Sequence, residues 1–90
     1  MVAPYRKSTG SVLQVIHDQL SPYVGKLMAS TAAAAHCREL GFYDSVLEQP
    51  QVDLLLQKLQ LGLVIFLGRD KTEAVVKDMQ SAIARLEEAH

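Results

Sequence analysis

Apolar residues recur along most of this chain at the three- and four-residue spacing of amphipathic helices. Proline disfavours helical geometry at the residue before it, so either a new helix begins at Pro22 or one long helix kinks there. Gly68 marks a tight connection between the last two. The pattern predicts an all-α fold, a compact, bundle-like four-helix domain that is compatible with a dimer. The helices are expected at residues 11–20, 22–40, 51–67 and 71–88.

The chain begins with a polar segment that contains Pro4 and Gly10. We expect residues 1–10 to form a flexible N-terminal tail and residues 11–90 to form a single helical domain. A strand over residues 63–67 would suit their strand propensity. The helical pattern runs through them without a break, however, and no second strand candidate is available for pairing. We therefore expect no strands.

The predicted third helix contains an excess of apolar residues. From Leu61 to Leu67 almost no polar surface remains, and a helix that is apolar on nearly all sides must be buried on most of them. Two interpretations are open. The helix either runs through the centre of the bundle, or part of its surface contacts another chain. The second interpretation places an interface at Leu54, Leu61, Val64 and Ile65.

Gly62 lies inside this helix, where glycine costs about 1 kcal/mol relative to alanine. We expect it to permit close approach by the alanine run at residues 32–35.

A second class of function, a carrier or sensor of a small apolar ligand, is also open. It would use a helical pocket lined by Met28, Phe42, Tyr43 and Phe66.

Charge and composition restrict the classes of partner that we expect this chain to bind. Nine basic residues face ten acidic ones, for a net charge of −1, and the adjacent like-charge pairs are Arg6-Lys7 and Glu87-Glu88. Binding to nucleic acid or to an anionic membrane surface needs a basic footprint. The longest apolar run is also shorter than the roughly 20 residues of a spanning helix. We therefore expect no nucleic acid and no membrane, and we expect another copy of the chain and another protein as partners.

The candidate chemistry is limited. His36 and Cys37 are neighbours, and adjacent helical residues point about 100° apart, so they are poorly placed to share a metal ion. No glycine-rich phosphate loop is present, and no nucleophile has a base at usable spacing. We predict no catalytic residue, no metal and no cofactor, and hence no enzyme. One cysteine and the lack of a signal peptide favour a cytoplasmic location.

The segment from Ala35 to Gly41 is similar to the phosphoacceptor segment of histidine phosphotransfer domains, which are helical bundles of comparable size. The resemblance implies His36 as the phosphoacceptor. Glu39 and Leu40 stand where that family has a lysine and a small residue, and a carboxylate there would repel a phosphoryl group. Phosphotransfer is thus a minor alternative. The main prediction is a non-enzymatic helical protein–protein interaction or regulatory module that self-associates.

Overall fold

The computed structural model describes residues 4–89. This part of the chain forms three helices and a two-stranded sheet, so the fold is mostly helical. The predicted four-helix bundle is wrong. The elements in chain order are β1 (Arg6–Ser8), α1 (Thr9–Val24), α2 (Lys26–Glu39), β2 (Val46–Glu48) and α3 (Gln49–Ala84).

The predicted third and fourth helices are one 36-residue element, α3, with a kink at Gly68. Gly68 has φ 76° and ψ 169°, a conformation that is nearly exclusive to glycine. Helical geometry resumes at Arg69, so no connecting loop and no new start at Asp70 are formed. We call residues 49–67 the first segment of α3 and residues 69–84 the second segment.

Next to the kink, the two segments of α3 lie against each other. Gln57, Leu61 and Val64 of the first segment line one crevice together with Arg69 and Glu73 of the second. The second segment therefore folds back along the end of the first. One glycine in an extended, positive-φ conformation performs the reversal that the sequence pattern assigned to a turn between two helices.

The break between the first two helices was also predicted at the wrong residue. Pro22 lies in the last turn of α1, and the helix ends at Gly25, whose φ is 87° and ψ is 158°. The Ser21 hydroxyl donates to the His17 carbonyl (2.6 Å) in this turn. Because the proline comes so near the end of α1, it removes little helical hydrogen bonding.

The start of α1 and the sheet both fall where a tail was expected. Thr9 begins the helix, and the Ser8 hydroxyl accepts a hydrogen bond from the Ser11 N–H (3.5 Å) as its cap. β1 pairs antiparallel with β2, placing Lys7 opposite Leu47. The expectation of no strands was wrong because three-residue strands are too short to show a two-residue alternation. Residues 1–3 of the predicted tail and residue 90 of the predicted domain lie outside the described residues.

All three helices share one hydrophobic core. The buried residues of α1 and α2 face the inner side of α3, and Leu47 of β2 closes one end. Burying each large aliphatic side chain contributes roughly 1.5–3 kcal/mol. The largest side chains with almost no exposure are Ile16, Leu20, Leu47, Leu55, Leu56, Leu59, Met79 and Ile83.

α3 is long and apolar enough to cross a membrane when it is judged by length and composition alone. Its most apolar 18-residue window has a mean hydropathy of 1.3, and 28% of that window is buried. The core helix of a soluble protein passes the same test, so this single helix is weak evidence for a membrane span.

Candidate interaction surface

The four predicted interface residues are all exposed on the first segment of α3. Ile65 is 81% exposed and Leu61 is 70% exposed, while Leu54 and Val64 are about half exposed. The helical repeat places Leu54, Leu61 and Ile65 on one side and buries Leu59 on the other. The first segment therefore lies at the surface of the described chain, and it does not run through the centre of a bundle.

The outer side of α2 is a second exposed apolar surface. Leu27 is 83% exposed and Met28 is half exposed. These two residues, with Thr31, Ala32 and Ala35, line a shallow depression of about 380 Å³. We call it the α2 depression. The eleven residues between Lys26 and Arg38 carry no Asp, Glu, Lys or Arg.

A narrow groove of about 90 Å³ joins the two surfaces. Met28 and Ala32 of α2 line it from one side, and Gly62 and Phe66 of α3 line it from the other. Phe66 is 68% exposed and lies one helical turn beyond Gly62. The groove therefore connects the exposed side of α2 with the first segment of α3. We group the exposed apolar residues of these two elements as one apolar face. We define this face by its large exposed residues, which are Leu27, Met28, Leu61, Ile65 and Phe66.

The predicted apolar pocket is only partly assembled. Met28 and Phe66 line the same groove. Phe42 is half-buried against the core elsewhere, and Tyr43 is exposed, with its hydroxyl donating to the Arg38 carbonyl (3.3 Å). The structure thus brings together two of the four residues.

The surroundings of Gly62 differ from those predicted from the sequence. A Cβ atom added there would have no atom of the described chain within 4 Å, outside its own helix backbone and chain neighbours. The alanine run does not press against this glycine, although Ala32 shares the groove with it. The prediction of a close approach within the chain was therefore wrong.

His36 lies at the end of the groove where α2 meets α3. Its Nδ1 atom is buried and has no hydrogen-bond partner among the described residues, and Glu39 Oε2 lies 3.9 Å away. Lys58 Nζ contacts the same Glu39 oxygen at 2.9 Å, and its hydrogen bond lowers the pKa of Glu39 below the ordinary value. The phosphoacceptor role implied for His36 stays a prediction.

Cys37 follows His36 on the buried side of α2. Its Sγ atom donates weakly to the Phe42 carbonyl (3.5 Å), and burial raises the pKa of the thiol. The reactive thiolate is therefore disfavoured at neutral pH. The side chain serves as a small buried apolar group where α2 packs into the core.

The most buried charged residue, Lys7, lies at the sheet and was not singled out from the sequence. It is 3% exposed, and its ammonium group donates to the Leu86 carbonyl and contacts Glu88 Oε1 at 3.2 Å. It also lies 5.1 Å from the centre of the Tyr5 ring. Lys7 therefore ties the chain after α3 to β1.

Glu88 completes this attachment through its second carboxylate oxygen. The Arg6 N–H donates to Glu88 Oε2 (3.0 Å), and the Ala89 N–H donates to the Arg6 carbonyl (2.9 Å). The hydrogen bonds from the Arg6 N–H and from Lys7 lower the pKa of Glu88. The available sequence signal was that one basic doublet, Arg6-Lys7, matches one acidic doublet, Glu87-Glu88.

Within residues 4–89, His, Cys, Asp and Glu do not form any group of three that could hold a metal ion. The apolar face holds five of the nine large apolar side chains that are exposed in the described chain. Comparison with known protein families, with curated proteins and with solved structures finds no match for this chain.

Proposed function

We propose that this chain is a non-enzymatic helical protein–protein interaction module that self-associates through the apolar face. The observation that carries the proposal is the exposure of Leu27 on α2 and of Leu61, Ile65 and Phe66 on the first segment of α3, two elements that line a common groove. Exposed apolar residues are common singly on soluble proteins. A continuous group of this size is typical of a contact surface.

The area supports an interface of ordinary size. From their exposed fractions, the five large residues of the apolar face present of the order of 600 Å². That value is at the upper end of the largest patch on a typical monomer. The small side chains of the α2 depression bring the surface close to the roughly 800 Å² that each partner buries in a standard complex.

Charged residues border the apolar face and are absent from its centre. Lys26 and Arg38 flank the α2 depression. The Glu39–Lys58 pair lies at one end of α2, and Arg69 follows the kink of α3. An apolar centre with a polar rim is the usual arrangement of a protein interface.

The test is the solution mass by size-exclusion chromatography with light scattering. We expect the wild type to show twice the 9.9 kDa chain mass at high concentration. Ile65→Lys, which places a charge in the centre of the face, should shift the protein to a monomer. Gln80→Lys adds the same charge at an exposed position of the second segment and should leave the mass unchanged.

A wild-type protein that stays at 9.9 kDa up to millimolar concentration would contradict self-association. A dimer that survives Ile65→Lys would contradict the apolar face as its site. Binding to another protein and a cytoplasmic location are part of the same proposal.

A small apolar ligand is the second candidate, favoured by the groove beside Met28 and Phe66. His36 also lines this groove and is the polar side chain beside its apolar walls. The groove volume of about 90 Å³ is well below the roughly 300–1,000 Å³ of drug-sized sites. Native mass spectrometry of freshly purified protein would detect a retained ligand, and its absence would remove this candidate.

A further inference from the structure

The apolar face has a raised part and a hollow part side by side. Leu61 and Ile65 project from the first segment of α3, each more than two-thirds exposed. The α2 depression is floored by Thr31, Ala32 and Ala35, whose side chains are short. The groove beside Phe66 lies between the two parts. A surface that carries a ridge beside a hollow can pair with itself about a two-fold axis, because the axis places the ridge of each copy over the hollow of the other.

Gly62 gives an independent indication of a close approach from outside the chain. Glycine is unfavourable inside a helix, and no atom of the described chain comes near the position of its missing Cβ. The packing of the chain itself therefore does not require glycine here. Gly62 lies between the ridge and the hollow, which is where the axis of such a pair would pass.

The absence of charged residues from both parts of the face allows this pairing. The stretch of α2 from Leu27 to Cys37 and the stretch of α3 from Gln60 to Gly68 contain no Asp, Glu, Lys or Arg. Two copies can therefore approach over both stretches without burying a carboxylate, ammonium or guanidinium group. The area of the face is also close to what a standard interface needs.

We infer that the occupant of the apolar face is a second copy of this chain, with Ile65 of each copy seated in the α2 depression of the other. The inference rests on the proposed self-association and adds the geometry of the contact. Leu61 of each copy then packs beside Ile65, and the two Gly62 backbones approach near the axis.

Cysteine cross-linking tests this geometry directly. In a Cys37→Ala background, Ala35→Cys in one preparation is mixed with tagged Ile65→Cys, and the mixture is oxidised. We expect the disulfide between the two different variants to dominate, because only residues whose Cα atoms approach within about 7 Å can be bridged. Light scattering on the unoxidised variants shows whether each still forms a dimer.

The outcomes separate the two proposals. Cross-linking of Ile65→Cys only to itself, in a protein that is dimeric, would overturn the ridge-in-hollow geometry and leave self-association standing. A monomer in light scattering, for the wild type and the variants alike, would overturn self-association itself. A dominant mixed disulfide supports both.

Gly62→Ala provides a second readout. We expect its thermal midpoint to rise in dilute solution, where the chain is monomeric, and its dimer to dissociate about tenfold more readily, because the added methyl group crowds the axis. Gly10→Ala makes the same change in α1, where the nearest atom to the new Cβ is Ser8 Oγ at 3.8 Å. It should leave dimer affinity unchanged. A Gly62→Ala dimer as tight as the wild type would overturn the inference.

Discussion

The two segments of α3 are joined at the Gly68 kink and divide their residues between core and solvent in different ways. The second segment buries Thr72, Val75, Val76, Met79 and Ile83, and every other residue from Arg69 to Ala84 is polar, charged or alanine. The first segment buries a similar row of leucines. Its outer side, however, also carries Leu54, Leu61, Val64, Ile65 and Phe66.

The difference shows which part of the fold is complete within one chain. The second segment is an ordinary amphipathic helix whose outer side is suited to water. Its C-terminal end is also attached to β1 through Lys7 and Glu88. The inner side of the first segment packs into the core. Its outer side carries apolar residues that do not contact the core. This outer side is where we propose that a partner binds.

The largest expected effect on stability appears when a buried and an exposed apolar residue of α3 are each replaced by alanine. Met79→Ala should lower the free energy of unfolding by about 2–5 kcal/mol, because Met79 is fully buried and truncation leaves a cavity. Ile65→Ala should change it by less than about 0.5 kcal/mol. Urea unfolding in dilute solution, where association does not contribute, measures both. Equal losses would remove the distinction between the two segments.

The attachment of the chain after α3 should give the next largest effect. Lys7→Met removes the ammonium group that donates to the Leu86 carbonyl and contacts Glu88, and it should cost about 2 kcal/mol because hydrogen bonds that involve a charged group contribute about 1.5–3 kcal/mol. Lys58→Met removes the half-exposed ion pair with Glu39 and should cost at most about 1 kcal/mol.

Chemical denaturation of both lysine variants checks this contrast. A Lys7→Met protein that unfolds at the same urea concentration as Lys58→Met would show that Lys7 does not anchor the chain after α3. In that case the sheet would be held by its backbone hydrogen bonds alone.

The kink between the segments should give an effect on stability of similar size. Gly68→Ala places a Cβ atom in a conformation that only glycine adopts readily, and it should cost about 1–3 kcal/mol. Gly62→Ala, six residues earlier on a regular helix, should have the opposite sign in the monomer. Thermal melts followed by circular dichroism compare the two. A neutral Gly68→Ala would contradict the sharp reversal at this residue.

The smallest expected effect is a change in the way stability depends on pH. Glu88 has a lowered pKa in the folded state, so its contribution to stability is present above its ordinary pKa of about 4.5 and is lost as the pH falls through the lowered value. Glu88→Gln should therefore lose less stability than the wild type between about pH 6 and about pH 3. Urea midpoints across that range measure it, and parallel curves for the two proteins would contradict the contacts of Glu88 with Arg6 and Lys7.

Much of the helical structure could be predicted from the sequence, because long amphipathic segments have a strong periodic signal. The boundaries were less predictable, since Pro22 is tolerated in a last turn and Gly68 reverses the chain without a loop. The strands were missed because Arg6–Ser8 and Val46–Glu48 are too short to show alternation.

The candidate surface was only partly predictable. The excess of apolar residues near Leu61 indicated either a central helix or an interface, and periodicity alone could not distinguish them, because both bury apolar surface. Leu27 and the outer side of α2 were not singled out, because the alanines around them suit the core and the surface equally. The contact of Lys7 with Glu88 joins opposite ends of the chain, which local patterns do not report.

The most direct test of the central claim uses the three isoleucines of the chain as methyl NMR probes. Ile16 and Ile83 are fully buried, and Ile65 is 81% exposed in a single chain. A soluble paramagnetic agent should broaden only the Ile65 methyl signal in dilute protein. As the concentration rises, we expect that signal to become as protected as the other two. An Ile65 signal that stays fully accessible at every concentration would contradict burial of the apolar face by a second copy.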